Sequence, residues 1–218
     1  MAGKSIIPIT NSQADAIKAV AELGKTVVEE GGQLARCIGK VLGTAPQDAV
    51  GIVLGDPLHF VRTAIALKYE ELITKILQDR NVKETQPVSP SLAIPLLRAA
   101  YDENRPELQD LWAKLIAAAM DPSRSGRVRL SFVDALKQFD PLDAIVLKAR
   151  YEQQGDLSPC PRDFLAKQWN RTPDEIELSA QNLQRLGCIR SSQTVEPIGW
   201  ANFYITTYGR ALVSVCSG

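Results

Sequence analysis

The sequence predicts a mainly α fold: a helical N-terminal region and a helical core, followed by a C-terminal winged-helix-like subdomain that carries a short β-hairpin. Three observations lead to this prediction. Apolar residues recur at intervals of three and four along most of the 218-residue chain. At several points proline directly follows a residue that can cap a helix, and such a pair is typical of a helix start. Near the C-terminus, two short apolar runs are separated by a segment with turn residues.

The N-terminal helical region is predicted to span residues 1–85. Helices are expected over 15–30, 34–42 and 46–55, with glycines between them. Asp56-Pro57 then predicts the start of a long helix that ends near Arg80. Its apolar stripe consists of Phe60, Val61, Ala64, Ile65, Leu72, Ile73, Ile76 and Leu77. The polar segment 81–89 is interpreted as a linker.

The helical core is predicted to span residues 86–153. Ser89-Pro90 and Pro106 indicate two helix starts, a turn follows at 121–128, and short helices are expected over 130–139 and from Asp140-Pro141 onward. In the last helix Leu142, Ile145, Val146 and Ala149 are predicted to point inward. The stripe of the Pro106 helix is Leu108, Leu111, Trp112, Leu115, Ile116, Ala119 and Met120. We expect Trp112 to be buried, with Phe132, Val133, Leu136, Ile145 and Leu147 around it.

The C-terminal subdomain is predicted to span residues 154–218. A short helix is expected over 162–169, and Thr172 with Glu175 three positions later forms a capping box for the next helix. That helix is predicted to end at Gly187, which favours a left-handed backbone. Strands over 188–191 and 203–206 and a helix over 207–216 follow. Counted from the helix at Pro141, this is the element order of a winged helix-turn-helix.

Composition excludes several classes of protein. Lys+Arg and Asp+Glu both number 25, so no net charge favours nucleic acid or an anionic membrane. The apolar runs are far shorter than the roughly 18–20 residues of a membrane span. The four cysteines form no C-x-x-C pair, and the apolar stretch near Pro8 is too short for a signal peptide. We therefore expect reduced thiols and a cytoplasmic location.

The residue pattern predicts no catalytic residues, no metal site and no cofactor. His59 is the single histidine of the chain, and no cysteine lies close to it in sequence, so the pattern does not predict a zinc site. It also does not predict a serine or cysteine nucleophile activated by histidine. Gly24-Lys25-Thr26 matches the end of a phosphate-binding loop, but Ala19 stands where that motif requires glycine. The segment also lies within a helical stripe. We therefore expect a protein that is not an enzyme.

One basic cluster is a candidate contact for an anion or a partner protein. Arg124, Arg127 and Arg129 lie in the turn after the Trp112 helix. The alternative interpretation is a solvated loop whose cations stand beyond a helix C-terminus, where the helix dipole favours positive charge.

DNA binding and membrane contact stay open as alternatives to protein contact. The third helix of the winged-helix motif, which would read DNA, carries three carboxylates in its first turns, Asp174, Glu175 and Glu177. DNA affinity depends largely on phosphate contacts, so this charge pattern favours contact with a partner protein or with copies of the same chain. The N-terminal helices contain the close-packing pattern Gly39-x-x-x-Gly43, which leaves peripheral membrane contact as a further alternative.

Two segments resemble a known family. Residues 107–122 read ELQDLWAKLIAAAMDP, and residues 130–147 read LSFVDALKQFDPLDAIVL. They are similar to the signature of the abortive infection alpha family of bacterial phage-defence proteins, with Asp140 at a helix cap where that pattern has serine. The resemblance implies a defence role and brings no catalytic residues. We therefore expect a non-enzymatic phage-defence protein that acts through protein contacts.

Overall fold

The computed structural model describes residues 39–41, 43, 59–152, 162–192 and 202–217. Most of these residues are helical, and two strands form an antiparallel hairpin near the C-terminus, so the mainly α prediction is confirmed. Apart from the helical residues 39–41, the helices predicted before residue 59 lie outside the described residues. The same holds for the Asp56-Pro57 start, Gly24-Lys25-Thr26, Cys37 and Cys160, and for the side chain of His59.

The elements follow the predicted order with small shifts at their ends. The N-terminal half contains α1 (His59–Asp79), α2 (Pro90–Tyr101), α3 (Pro106–Met120), a 3₁₀ turn (Ser125–Arg127) and α4 (Leu130–Leu136). The C-terminal half contains α5 (Pro141–Glu152), α6 (Arg162–Gln168), α7 (Pro173–Arg185), β1 (Ile189–Ser192), β2 (Asn202–Ile205) and α8 (Thr207–Cys216). From α5 onward the described elements are three helices, two strands and a helix.

Helix α3 lies at the centre of the described fold. It packs against α1, α2, α5 and α8, so several of its faces are covered and its buried surface is wider than one stripe. Its buried residues are Leu108, Gln109, Trp112, Ala113, Leu115, Ile116, Ala117, Ala118, Ala119 and Met120. Trp112 is 1% exposed, which confirms the prediction that its side chain is buried.

Local capping signals fix several helix starts. The Thr172 hydroxyl accepts a hydrogen bond from the Glu175 N–H, and the Glu175 side chain reaches back to the Thr172 backbone, as the capping box predicts. Gly187 follows this helix with φ of 72°, which is the predicted left-handed position. Helix α3 starts at Pro106, but its N-cap is Arg105, whose N–H is satisfied by the Glu103 carboxylate at 2.9 Å.

The inward face predicted for α5 is partly wrong. Ile145 is 37% exposed and does not enclose Trp112, whereas Asp143 is only 1% exposed. One oxygen of Asp143 accepts from Ser179 Oγ at 2.6 Å, and the other accepts from Asn182 Nδ2 at 2.7 Å. These bonds to α7 set the rotation of α5, so its buried face is Asp143, Val146, Leu147 and Arg150.

The predicted linker at 81–89 lies against the core. The Val88 side chain is buried, and its N–H donates to the Val41 carbonyl at 2.9 Å. The Gln86 N–H donates to the carbonyl of Met120 at the end of α3. The domain boundaries at 85/86 and 153/154 stay a prediction.

The C-terminal elements are held together by the hairpin and by α8. Strands β1 and β2 pair in the register Ile189 to Ile205, and α8 returns to pack against α3 and α5. Arg150 of α5 donates to the Phe203 carbonyl on β2. These contacts connect the hairpin to the central helices.

Candidate functional site

A cavity of about 650 Å³ lies where α1 and α3 end. Its walls come from the last turn of α1, the segment directly after it and the turn after α3. The lining residues are Ile76, Asp79, Arg80, Asn81, Val82, Lys83, Glu84, Lys114, Asp121, Pro122, Ser123 and Arg124. The packing of α1 against α3 brings these segments together.

Two arginines of this cavity meet at one carbonyl oxygen. Arg80 Nη2 donates to the Ser217 carbonyl at 3.0 Å, and Arg124 Nη1 donates to the same oxygen at 2.7 Å. Ser217 directly follows α8, so both cations lie at the C-terminal end of that helix, where the helix dipole favours positive charge. Arg124 also lies 3.5 Å from Asp121, measured from Nε to Oδ2.

The environment of Arg80 is unusual for a guanidinium. Burial lowers its pKa, and the nearby positive charge of Arg124 lowers it further. The carboxylate of Asp121 opposes this effect, but it also accepts hydrogen bonds from the backbone and hydroxyl of Ser123. The positive charge at this point is therefore incompletely balanced.

The three predicted arginines have different places in the structure. Arg124 lines the cavity beside Arg80. Arg127 is exposed and donates to the Ser123 carbonyl at 3.2 Å, and Arg129 is exposed at the start of α4. The structure thus brings Arg124 together with Arg80, which the sequence analysis did not single out, and leaves Arg127 and Arg129 outside the cavity lining.

Helix α7 presents a second candidate surface. Asp174, Leu178 and Gln181 are exposed on it, Glu177 is half-buried, and Leu178 is 66% exposed. Arg185 is bound to the Gln138 and Asn182 side chains at 2.9 and 2.7 Å. The exposed surface of α7 therefore carries acids towards its start, Arg185 at its end and one prominent leucine between them.

A polar cleft of about 400 Å³ borders Trp112. The Glu103 carboxylate at its edge binds the Arg105 guanidinium through two hydrogen bonds, at 2.8 and 2.9 Å. Burial works against ionisation of Glu103, but the hydrogen bonds and the charge of Arg105 outweigh it and hold the pKa of the carboxyl below its usual value. The cleft is thus bordered by an ion pair in which both Glu103 oxygens are bound by Arg105. Trp112 also contributes to the lining of the cleft.

Acid is expected to remove the stabilisation from this ion pair. The folded-state pKa of Glu103 is lowered, so its contribution is complete above the unfolded value of about 4.3 and is lost as pH falls through the folded value. We expect Glu103→Gln to have a lower Tm than the parent at about pH 7 and a smaller further decrease towards pH 3. Thermal denaturation at both pH values measures the difference.

The matched control for this prediction is Glu107→Gln, which changes an exposed carboxyl at the start of α3. It should retain the acid sensitivity of the parent. An equal decrease in Tm for the parent and Glu103→Gln would contradict the prediction.

The described residues offer little for metal or thiol chemistry. Among them, no group of three or more His, Cys, Asp or Glu side chains could hold a metal ion. Cys188 and Cys216 are free and buried, and burial raises the pKa of each thiol to about 12. Such thiols stay protonated at neutral pH and are poor nucleophiles. In the same part of the chain, no helix is both long enough and apolar enough to cross a bilayer.

Comparison with protein families identifies the chain. A family model described as abortive infection alpha matches residues 62–216, which is most of the sequence. The chain belongs to the abortive infection alpha family. No curated protein and no solved structure shows a significant match.

In this abortive infection alpha protein, the family match includes both candidate surfaces. It extends from α1 to the last residue of α8 and therefore contains Arg80, Arg124 and the exposed side chains of α7. The segment 107–122 that carries the resemblance is helix α3 with the turn residues after it, and most of it is buried. Its most recognisable residues therefore form the core, and the surfaces that can meet a ligand or partner lie elsewhere.

No feature of the sequence identified Arg80 as a residue of the cavity. Arg80 follows directly after the last residue of α1, where it reads as an ordinary polar helix end. Its partner Arg124 is 44 positions away, and only the packing of α1 on α3 brings the two together. A basic residue just past a helix terminus was the available signal, and it is too common to be specific.

Proposed function

We propose that this protein is a non-enzymatic phage-defence protein that works in the cytoplasm by binding another protein through α7. Its membership of a family named for abortive infection supports the defence role. The observation that carries the mechanism is the exposed surface of α7, where Leu178 is 66% exposed beside Asp174 and Glu177. A leucine among polar residues provides an apolar anchor, and the acids around it select a partner of opposite charge.

Charge favours a protein over DNA as the partner of α7. The winged-helix interpretation rests on the order of the elements from α5 to α8, and in that motif the helix corresponding to α7 would enter the DNA groove. Asp174 and Glu177 on its surface would repel phosphates. Of the nearby cations, Arg171 lies 3.6 Å from the Glu175 carboxylate, and Arg185 at the far end of α7 is held by hydrogen bonds to Gln138 and Asn182.

Phage plating on bacteria that express the protein tests this function. We expect the parent chain to reduce plaque formation and Leu178→Asp to lose this protection by about tenfold or more, because a charge at the anchor breaks the contact. The matched control is Leu130→Asp, which changes another exposed leucine, 47% exposed, on α4. Circular dichroism should show that both variants are folded.

The outcomes separate the defence role from the proposed contact. No protection by the parent against a broad phage panel would contradict the defence role. Equal protection by the parent and Leu178→Asp would contradict α7 as the contact surface. Salt-sensitive retention on DNA that is lost in Arg171→Ala would instead support a winged-helix regulator. Flotation with liposomes would support the membrane alternative, whose predicted helices lie outside the described residues.

A further inference from the structure

We propose that the cavity beside Arg80 and Arg124 is a binding site for an oxyanion, namely phosphate or the phosphate group of a small organic molecule. This inference is independent of the proposed contact through α7. It depends on the buried, incompletely paired guanidinium of Arg80, on the charge around the cavity and on the cavity volume.

The first observation is that Arg80 has buried donors without acceptors. Its Nε and Nη1 atoms are buried and make no hydrogen bond, whereas Nη2 binds the Ser217 carbonyl. Buried polar groups are nearly always paired, and a charged donor without an acceptor is costly. Nε and Nη1 are not themselves open to the cavity, but Arg80 forms part of its wall, so the uncompensated charge of the guanidinium acts on an anion bound there.

The second observation is an excess of positive charge in the cavity wall. Arg80 and Arg124 share one carbonyl oxygen, and Asp121 is the carboxylate paired with Arg124 at 3.5 Å. The charged residues of the lining are Arg80, Lys83, Lys114 and Arg124 against Asp79, Glu84 and Asp121. Lys83, Asp79 and Glu84 are exposed, so water screens them, and Lys114 is paired with Asp110 at 2.6 Å. The excess that remains is Arg80 and Arg124 against Asp121. A bound anion would balance the excess and reduce the repulsion between the two guanidinium groups.

The third observation is the size and chemistry of the cavity. Its volume of about 650 Å³ is within the usual range of small-molecule sites. A phosphate ion would occupy only part of it, so a phosphate with an attached organic group also fits. Arginine is well suited to such a ligand, because its planar guanidinium donates charge-assisted hydrogen bonds to phosphate oxygens.

Calorimetry and thermal denaturation of the full chain test the site, with inorganic phosphate and adenosine monophosphate as probes. Each is compared with chloride at equal ionic strength. We expect at least one probe to bind and to raise Tm, with a Kd that increases by about tenfold or more in Arg80→Gln. Arg80 also donates a hydrogen bond to the Ser217 carbonyl, so Arg80→Gln removes a contact within the fold as well as a charge of the cavity. A second variant is therefore needed. Lys83→Gln changes an exposed lining residue and should weaken binding without loss of folding.

The matched control is Arg127→Gln, which removes a nearby exposed arginine that does not line the cavity. It should bind as the parent does. Binding of inorganic phosphate would support an oxyanion site, and binding of the nucleotide alone would support a site that also needs the organic group. Binding of neither probe, or equal binding by the parent, Arg80→Gln and Lys83→Gln, would overturn the proposal. None of these binding results affects the proposed contact at Leu178, which the plaque assay tests separately.

Discussion

Replacement of Trp112 by alanine is expected to lower the free energy of unfolding by about 3–5 kcal/mol. The indole is 1% exposed and lies in the hydrophobic cluster that α3 shares with its neighbouring helices. Removing it deletes a large apolar surface and leaves a cavity that these helices can fill only in part. This loss is a large fraction of the 5–15 kcal/mol that stabilises a typical domain. The urea midpoint of Trp112→Ala measures it.

Two further variants serve as comparisons for Trp112→Ala. Trp112→Phe retains an aromatic ring and should lose clearly less stability than Trp112→Ala. Leu178→Ala removes an exposed side chain and should change the free energy of unfolding by less than about 0.5 kcal/mol. A loss below about 1 kcal/mol for Trp112→Ala would show that the indole is not packed in the core.

Helix starts were predictable because their causes are local. The free N–H groups of a first turn are satisfied by residues only two or three positions away, so a short pattern contains the necessary information. The Thr172 capping box and the prolines that begin α2, α3 and α5 are of this kind. The same holds for Gly187, where a left-handed backbone ends α7.

The face of α5 was not predictable from its apolar residues. Hydrophobic periodicity favours Ile145 as a core residue and Asp143 as a surface residue, and the structure reverses them. The burial of Asp143 depends on Ser179 and Asn182, which lie 36 and 39 positions later in the chain. A carboxylate can be buried when such partners satisfy both of its oxygens, and a local pattern contains no information on partners so distant.

The cavity was predictable only in part for the same reason. The cluster of Arg124, Arg127 and Arg129 was visible because these residues are close in sequence, yet the structure places only Arg124 in the lining. Its companion Arg80 directly follows α1. Their shared acceptor, the Ser217 carbonyl, lies 137 and 93 positions away from the two arginines. Local sequence thus indicated the turn, and tertiary packing determined the site.

The replacement Gly209→Ala is expected to lower the free energy of unfolding by about 3 kcal/mol, the upper end of the usual cost of overpacking, although it adds a single methyl group. A Cβ atom on Gly209 would lie 2.1 Å from the Cys188 carbonyl oxygen and 2.9 Å from its carbonyl carbon. Both atoms belong to the backbone, so no side-chain rotation can relieve the overlap. Thr206 also donates from its N–H to this oxygen at 3.0 Å, which holds the start of α8 against that carbonyl.

The clash at Gly209 must therefore move α8 away from Cys188, which directly precedes β1. Because α8 packs against α3 and α5, that movement also disturbs the central helices, and a large loss of stability follows. The matched control is Gly126→Ala in the 3₁₀ turn, where an added Cβ has no atom within 4 Å, and it should change stability by less than about 0.5 kcal/mol. Chemical denaturation compares the two variants. Equal stability of both would contradict the close approach of α8 to Cys188.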